Sequence, residues 1–176
     1  RRGTRSNADG IAVEDGARGL SYAELDERVA AIAAGLQARL PAPGARIGVC
    51  AYNTIEHMTA ILAVFAAGHV WVALNPRLGK PDLAAIVDCV GLDAVIVDED
   101  CLALLDLPDI PVFIGHHTTG AGGEATLEDL AQHHAGAAVK QEPPNGRDAD
   151  YRQIHQRVVI EKNLAYNRYV RQQRYG

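Results

Sequence analysis

The chain has 176 residues, 48 % of them apolar, and a formal net charge of −5. This apolar share predicts a packed globular core and excludes a disordered chain, and the length favours a single domain. No apolar run reaches the roughly 20 residues of a membrane-spanning helix, and the first four residues (Arg-Arg-Gly-Thr) are not followed by an apolar targeting segment. We therefore expect a cytoplasmic protein without a membrane span.

The first predicted elements are a hairpin and a long helix. Residues 11–15 form a strand, Asp15-Gly16 is a turn signal, and the chain returns towards Ser21. Ser21 followed three residues later by Glu24 is typical of a capping box. Apolar residues at helical spacing then predict a helix to about Leu40, which Pro41, Pro43 and Gly44 end.

Strands and helices alternate through the rest of the chain up to about residue 133. The predicted strands cover residues 46–51, 70–74, 93–97 and 112–114. The predicted helices run up to Gly68, from about residue 80 to about residue 90, through Leu104 as a short helix, and from residue 127 to about residue 133. We expect Asn53 or Thr54 to cap the second helix. Its apolar stripe is expected to consist of Met58, Ile61, Leu62 and Phe65. This alternation predicts an α/β fold, with a mostly parallel sheet flanked by helices.

The three cysteines, Cys50, Cys89 and Cys101, are too few and too scattered for a disulfide framework or a zinc site. Cys50 and Cys89 lie inside apolar runs, where a thiol usually behaves as a small buried hydrophobe. We therefore expect buried, reduced thiols. Trp71 lies within a predicted strand and is expected in the core, and His69 beside it is expected to be structural.

Several polar segments have a composition similar to that of metal-binding or phosphate-binding sites. Asp98-Glu99-Asp100 follows a strand and could hold Mg²⁺, but an acidic loop that caps the next helix is the preferred interpretation. His116-His117 and His133-His134 are adjacent pairs, which on a helix would not share a face, so no metal site is expected. The glycine-rich residues 115–123 lack the lysine of a phosphate-binding loop and predict a surface loop.

Beyond residue 139 the composition changes. Residues 139–147 have the composition of a linker, and residues 155–176 carry five cations against Glu161 alone, interleaved with three tyrosines. Such a stretch could bind nucleic acid, but a solvated helix face is the more common structure for it. We therefore expect no nucleic-acid partner.

Three segments in order resemble the adenylate-forming, or AMP-binding, superfamily. They are residues 20–25 (Leu-Ser-Tyr-Ala-Glu-Leu), residues 44–49 (Gly-Ala-Arg-Ile-Gly-Val) and residues 66–78 (Ala-Ala-Gly-His-Val-Trp-Val-Ala-Leu-Asn-Pro-Arg-Leu). The superfamily contains acyl-CoA synthetases, luciferases and the adenylation domains of peptide synthetases. Leu74-Asn75-Pro76-Arg77 resembles the CoA ligases, because peptide synthetases usually have Ile-Asp-Pro at this place.

The resemblance implies an enzyme that joins a carboxylic acid to AMP with ATP and Mg²⁺, and then forms a thioester with CoA. Fatty-acid-CoA ligases are the type it suggests, although residues that select the acid are not among these 176. Residues 1–140 are expected to form an α/β subdomain of the N-terminal domain. Residues 141–176 are expected to be a linker, a strand and a helix that flank the phosphate loop.

That phosphate loop is not in the sequence. Residues 148–154 match the family's strand before the loop, and residues 155–164 match the family's segment after it, so the loop is absent between Ile154 and His155. Either the loop is deleted, or the protein has it and the sequence omits it. On this alignment Arg157 stands at the loop's cation, which would neutralise phosphate charge. A surface arginine at a helix start is the competing interpretation.

The resemblance also places the acyl pocket, the adenine-binding segment and the catalytic lysine beyond Gly176. We therefore expect the 176 residues alone to be inactive, as an N-terminal fragment of an acyl-CoA synthetase. The alternative is a non-catalytic α/β module that binds a nucleotide or a partner.

Overall fold

The computed structural model describes residues 7–16, 18–107, 109–116 and 125–140, which form a parallel sheet with helices on both faces and an antiparallel hairpin. The hairpin strands are β1 (Ile11–Asp15) and β2 (Arg18–Ser21), and the sheet strands are β3 (Arg46–Cys50), β4 (Val70–Ala73), β5 (Ala94–Val97) and β6 (Val112–Ile114). The helices are α1 (Tyr22–Arg39), α2 (Ile55–Ala66), α3 (Lys80–Val90) and α4 (Leu127–His133), with a 3₁₀ helix at Glu99–Leu104. The predicted alternation of strands and helices is confirmed.

The four strands of the main sheet are all parallel and follow the order β4-β3-β5-β6. From β3 the chain crosses through α2 to β4, and from β5 it crosses to β6 on the opposite side. The two connections therefore lead away from each other at the carboxyl ends of β3 and β5. This is the predicted α/β fold, and the divergence marks the place where open sheets of this kind usually form a crevice.

Two apolar cores lie on opposite faces of the sheet. Ile32 and Leu36 of α1, Val64 of α2 and Leu130 of α4 pack with sheet residues such as Phe113 on one face. The other core is built from α3, the 3₁₀ helix and the remaining strand residues, and its members include Leu74, Leu83, Val87, Val95 and Cys101. A fold with helices on both faces of a sheet buries both sides of its strands, which explains the continuous apolar runs.

Side-chain caps begin three of the helices, two at the predicted residues Ser21 and Thr54 and one at Thr126, where no cap was predicted. The Ser21 hydroxyl accepts from the backbone N–H of Glu24, and the Glu24 carboxylate accepts from the backbone N–H of Ser21. Thr54 caps α2 by accepting from the backbone N–H of His57. Thr126 and Asp129 form a second capping box at α4. These local bonds fix the first turns of helices that need tertiary packing for the rest of their stability.

The predicted apolar stripe of α2 does not face the core, contrary to what an amphipathic helix would suggest. Met58 and Phe65 are 45 % and 56 % exposed, and Ile61 and Leu62 are only half-buried. The buried face of α2 instead carries Ile55, one acid and mostly small side chains, namely Glu56, Thr59, Ala60, Ala63 and Val64. Its neighbour α1 buries Ile32 and Leu36 together with the small residues Ala31, Ala33, Ala34 and Gly35. The large apolar side chains of α2 are therefore mostly on the side that faces away from the core.

Two further expectations about burial need correction. Cys89 is exposed, because α3 buries its opposite side through Leu83 and Val87, whereas Cys50 and Cys101 are buried as expected. Strand β4 lies at the sheet edge and is half-buried, so Trp71 packs against the first core only in part. His69 is buried, but neither of its ring nitrogens has a hydrogen-bond partner among the described residues, so the expected satisfied structural histidine is not observed.

In the ranges that the structure describes, no helix combines the length and the apolar character needed to cross a bilayer. Residues 117–124 of the glycine-rich loop and residues 141–176 lie outside those ranges. The predicted linker after residue 140, the segments around Ile154 and His155, and Arg157 are therefore outside them as well.

Candidate functional site

The carboxyl ends of β3, β5 and β6 bring together polar groups from distant parts of the sequence. Tyr52 follows β3, Asp98 follows β5 directly, and His116 lies two residues after β6. The first turn of α2, with Glu56 and His57, lies at the same edge of the sheet. In open α/β sheets the crevice at such a divergence of strand connections is the usual ligand site. We therefore treat this edge as the candidate site.

The Asp98 carboxylate lies at this edge and accepts two backbone hydrogen bonds. Its Oδ1 accepts from the backbone N–H of His116 at 2.9 Å, and its Oδ2 accepts from the backbone N–H of Tyr52 at 3.3 Å. The residue is 4 % exposed. The carboxylate thus bridges the ends of β3, β5 and β6 and satisfies two backbone donors at a buried position, where an unpaired donor is costly.

Gly115 makes this bridge possible. A Cβ atom at position 115 would lie 2.7 Å from the Asp98 Oδ1 atom, which is closer than a carbon and an oxygen can approach without a shift. The backbone of Gly115 also continues the β5–β6 pairing, because its N–H donates to the carbonyl of Val97 at 2.9 Å. The glycine therefore allows the carboxylate to approach the strand end.

Burial dominates the acid–base properties of the crevice. Desolvation raises the pKa of Asp98 above its ordinary value, and the hydrogen bonds from His116 and Tyr52 offset part of this rise. Desolvation also lowers the pKa of His57, while the negative charge of Asp98 acts in the opposite direction. Both shifts favour the neutral form of each side chain, as expected for groups withdrawn from water.

A second cluster joins the hairpin to the start of α2. The Arg18 guanidinium donates to both oxygens of Glu56, with Nη1 to Oε1 at 3.0 Å and Nη2 to Oε2 at 3.2 Å. Arg18 Nη2 also donates to Asp15 Oδ2 at 2.9 Å, and the same oxygen accepts from the backbone N–H of Ile55 at 2.9 Å. Asp15 thereby satisfies one of the N-terminal donors of α2. We call Asp15, Arg18 and Glu56 the hairpin clamp.

The hairpin clamp keeps its carboxylates ionised. Burial opposes ionisation of Glu56, which is 8 % exposed, yet the hydrogen bonds and charge of Arg18 outweigh it and lower the pKa of Glu56. The hydrogen bond from Ile55 is the main reason that the pKa of Asp15 is lowered. His116 Nδ1 lies 3.8 Å from Glu56 Oε2, which connects the hairpin clamp with the Asp98 crevice.

The described residues of this edge hold no metal-binding cluster, and the amides of Tyr52 and His116 that could meet a phosphate already donate to Asp98. No group of three or more His, Cys, Asp or Glu side chains with a metal-binding arrangement occurs in the ranges described. The predicted helix cap at Asp98 is not observed. The Asp98 oxygens accept from the backbone N–H groups of Tyr52 and His116, and its side chain makes no cap to the 3₁₀ helix that follows. A phosphate would have to displace this buried carboxylate, and the two anions would repel each other.

The buried thiols are poor nucleophiles. Burial, with a smaller contribution from neighbouring Cys101, raises the pKa of Cys50 to about 12. Desolvation also raises the pKa of Cys101. Because the thiolate is the reactive form of cysteine, these two side chains act as core residues rather than catalytic groups.

The sequence indicated the acid at residue 98 but not its role. The signal was an aspartate immediately after a buried strand, which in a parallel sheet places it at the carboxyl edge. The hairpin clamp had no sequence signal, because Arg18 and Glu56 are 38 residues apart. The predicted phosphate-loop cation, Arg157, lies outside the described residues.

The segment that resembles CoA ligases leaves the sheet edge in a tight turn. Leu74 is buried in the second core, and the Asn75 side-chain oxygen accepts from the backbone N–H of Arg77 at 3.0 Å. This turn leads into α3, which begins at Lys80 with Pro81 in its first turn. The motif thus stabilises the β4–α3 connection.

A family model described as "AMP-binding enzyme" matches residues 1–161 of the chain. Two curated relatives of this chain are different kinds of enzyme by name. A feruloyl-CoA synthase from an Amycolatopsis species is 34 % identical over 108 residues, which cover 61 % of this chain and 20 % of the relative. The hybrid PKS-NRPS synthetase lepA of Aspergillus flavus is 34 % identical over 101 residues, which cover 57 % of this chain and 3 % of the relative. The chain thus spans a fifth or less of these relatives.

A solved structure with the same fold is a benzoate CoA ligase from Burkholderia xenovorans LB400. The two superpose with a TM-score of 0.69 at 21 % sequence identity, over 84 % of this chain and 29 % of that one. At this identity the similarity establishes the fold alone.

Proposed function

The chain belongs to the AMP-binding enzyme family, and on that premise we propose that it is the N-terminal part of an ATP-dependent acyl-CoA synthetase. The family match over residues 1–161 is the observation that carries the proposal. The complete enzyme would activate a carboxylic acid as an acyl-AMP, with ATP and Mg²⁺, and then form a thioester with CoA. Such an enzyme would work in the cytoplasm, where we place this protein.

The choice of a CoA ligase over a peptide-synthetase adenylation domain rests on residues 74–77. Leu-Asn-Pro-Arg occupies the turn after β4, where peptide synthetases usually have Ile-Asp-Pro. In this chain Asn75 uses its side-chain oxygen to hold the turn that leads to Arg77. Identity does not favour either class, since the feruloyl-CoA synthase and lepA are both 34 % identical to the chain.

We assign residues 1–140 to one α/β subdomain of the large domain and residues 141–176 to the segments that flank the phosphate loop. The described residues would act as a scaffold, because the backbone N–H groups of Tyr52 and His116 at the carboxyl edge already donate to Asp98. ATP would therefore bind elsewhere in the complete enzyme, on residues that follow this subdomain. The 176 residues alone would be inactive.

Two chimeras would test the proposal. In each, residues 7–140 replace the aligned segment of a relative, either the feruloyl-CoA synthase or lepA. The measured quantity is acid-dependent exchange of pyrophosphate into ATP, expressed as a fraction of the exchange by the unmodified parent. A version of each chimera with Gly48→Leu, which overfills the second core, serves as the misfolded control.

We expect the feruloyl-CoA synthase chimera to retain the larger fraction of its parent's activity, because an acyl-CoA synthetase subdomain should match the surfaces of its own class. A larger retained fraction in the lepA chimera, with both proteins folded, would contradict the CoA-ligase assignment and favour a peptide-synthetase domain.

Arg157 is proposed as the cation beside the phosphates. The test uses the feruloyl-CoA synthase chimera extended to residue 161, with the host's phosphate loop inserted between Ile154 and His155. Loss of a group that stabilises transferring phosphate typically lowers activity by about 10²-fold. We expect Arg157→Ala to approach this loss and Arg152→Ala to leave activity nearly unchanged. Equal activities of the two variants would exclude the role.

The alternative is a stand-alone α/β module that binds a nucleotide at the carboxyl edge. It predicts saturable changes in the amide resonances of Tyr52 and His116 when Mg-ATP is added to the 176-residue chain. Because both amides already donate to Asp98, we expect no such changes. Their appearance would favour the nucleotide-binding module.

A further inference from the structure

The exposed side of α2 is apolar over two turns of helix. Met58, Ile61, Leu62 and Phe65 are spaced three and four residues apart and therefore line one face. We call these four residues the α2 outer face. Met58 and Phe65 are among the few large apolar side chains that the described residues leave exposed. A contiguous apolar stripe opposite the buried side of a helix indicates a surface that another element covers.

The aromatic side chains beside this face are incompletely packed. Phe65 meets Trp71 of β4 edge to face, with ring centroids 6.1 Å apart. Trp71 is only half-buried, yet its Nε1 atom is shielded and has no hydrogen-bond partner among the described residues. Strand β4 pairs with β3 on one side, and no described strand lies on its other side. The α2 outer face and the edge of β4 thus form one uncovered corner.

The described chain ends beside this corner. The Gln37 side-chain nitrogen donates to the carbonyl of Ala67 at 3.2 Å and to the carbonyl of Lys140 at 2.9 Å. The Gln37 side-chain oxygen accepts from the Lys140 N–H at 3.0 Å. One glutamine therefore holds residue 140 against the last turn of α2, two residues after Phe65. The chain that follows Lys140 therefore starts near the carboxyl end of α2.

We propose that the α2 outer face is the docking surface for residues 141–176 of the same chain. The 36 residues after Lys140 have ample length, since the face spans only about 10 Å along the helix at 1.5 Å per residue. They include an apolar run of matching character, Val158-Val159-Ile160, followed by Leu164. This inference concerns packing within the chain and does not rest on the proposed function.

An attached segment suits this surface better than a second copy of the protein. A stable interface between proteins typically buries about 800 Å² on each partner, more than four side chains supply. A segment joined to the chain at Lys140 needs less area, because tethering replaces an intermolecular association with an intramolecular one. The α2 outer face is therefore large enough for the tail and small for a dimer.

Thiol labelling of the full 176-residue chain tests the docking. Met58→Cys places a reporter on the face, and exposed Cys89 on the far side of the sheet is the reference thiol in the same molecule. Cys50 and Cys101 are buried, and burial raises the pKa of both thiols. The ratio of labelling rates at positions 58 and 89 is measured by peptide mass spectrometry. The comparison is between the chain with Val159→Asp and Ile160→Asp and a matched chain with Gln172→Asp and Gln173→Asp.

We expect the paired substitutions at 159 and 160 to raise the 58-to-89 ratio about tenfold, as the opening of a docked segment exposes the residues beneath it. The substitutions at 172 and 173 should leave the ratio unchanged. Trp71 is the single tryptophan, so its emission in chains without the reporter gives a second measurement. The Trp71 emission should shift to longer wavelength in the chain with Val159→Asp and Ile160→Asp. It should stay unchanged in the chain with Gln172→Asp and Gln173→Asp.

Equal labelling ratios and equal Trp71 emission in the two chains would overturn the proposal. Protection of position 58 that falls when the protein is diluted a hundredfold would also overturn it, because a second copy of the chain would then be the occupant.

Discussion

Replacing Asp98 with asparagine tests whether its carboxylate holds the strand ends together. The carboxylate accepts two backbone N–H groups, one on each oxygen, from His116 and Tyr52. Asparagine has nearly the same shape but only one acceptor oxygen, so its NH₂ group would face one of the two donors. The variant isolates the hydrogen bonds from the packing.

The expected cost comes from the unpaired donor. A buried donor left without an acceptor typically costs about 1–3 kcal/mol, and removal of a buried negative charge returns part of this. We expect Asp98→Asn to lower the free energy of unfolding at pH 7 by about 1–2 kcal/mol. Asp100→Asn is the matched control, because Asp100 is exposed, and its effect should stay within about 0.5 kcal/mol.

The contribution of Asp98 to the free energy of unfolding changes with pH in one direction. Because burial raises the pKa of Asp98 in the folded protein above its ordinary value of 3.8, the folded state holds this proton more tightly than the unfolded chain does. The Asp98 contribution to stability is therefore full below pH 3.8 and is lost as the pH rises through the folded pKa. The stability gap between wild type and Asp98→Asn should widen as the pH falls from neutrality.

Urea denaturation followed by Trp71 fluorescence measures both effects, since the chain has one tryptophan. An Asp98→Asn variant as stable as wild type at pH 7 would refute the bridging role. A gap that narrows on acidification would refute the assigned pKa direction.

Three further predictions concern the hairpin clamp, the second core and the thiols. Glu56→Gln should lower the free energy of unfolding by about 1–3 kcal/mol at pH 7. This difference from wild type should shrink below pH 4.5, because the pKa of Glu56 is lowered on folding. A constant difference down to pH 3 would refute the ion pair. Gly48→Ala should cost about 1–3 kcal/mol by overpacking, because its Cβ would lie 2.8 Å from the side chains of two leucines. Gly19→Ala, whose Cβ meets nothing closer than 3.6 Å, is the control, and equal unfolding midpoints would contradict the packing. Under native conditions a maleimide should label Cys89 but not Cys50, and labelling of both at similar rates would contradict the burial of Cys50.

Much of the fold can be predicted from local sequence signals. Capping boxes at Ser21 and Thr126 fix helix starts, and the alternation of short apolar runs with helical stripes predicts the parallel sheet. Pro81 and Gly91 delimit α3, where Gly91 takes the left-handed conformation that ends the helix. These signals act within a few residues, so a sequence displays them directly.

Side chains that depend on distant partners were not predictable. The apolar stripe of α2 gave the wrong face because the helix has two candidate faces, and only packing against α1 selects the one with small residues. The hairpin clamp joins Arg18 to Glu56 across 38 residues, and Asp98 reaches Tyr52 across 46. Such pairings depend on topology rather than on spacing, and they define the candidate site.

Pyrophosphate exchange by the feruloyl-CoA synthase chimera, measured beside the 176-residue chain alone, is the most direct test of the proposed function. We predict acid-dependent exchange by the chimera at a larger fraction of its parent's activity than the lepA chimera retains, and no exchange by the chain alone. Acid-dependent exchange by the 176 residues alone would contradict the assignment of this chain as the N-terminal scaffold of an acyl-CoA synthetase. A larger retained fraction in the lepA chimera, with both chimeras folded, would contradict it as well.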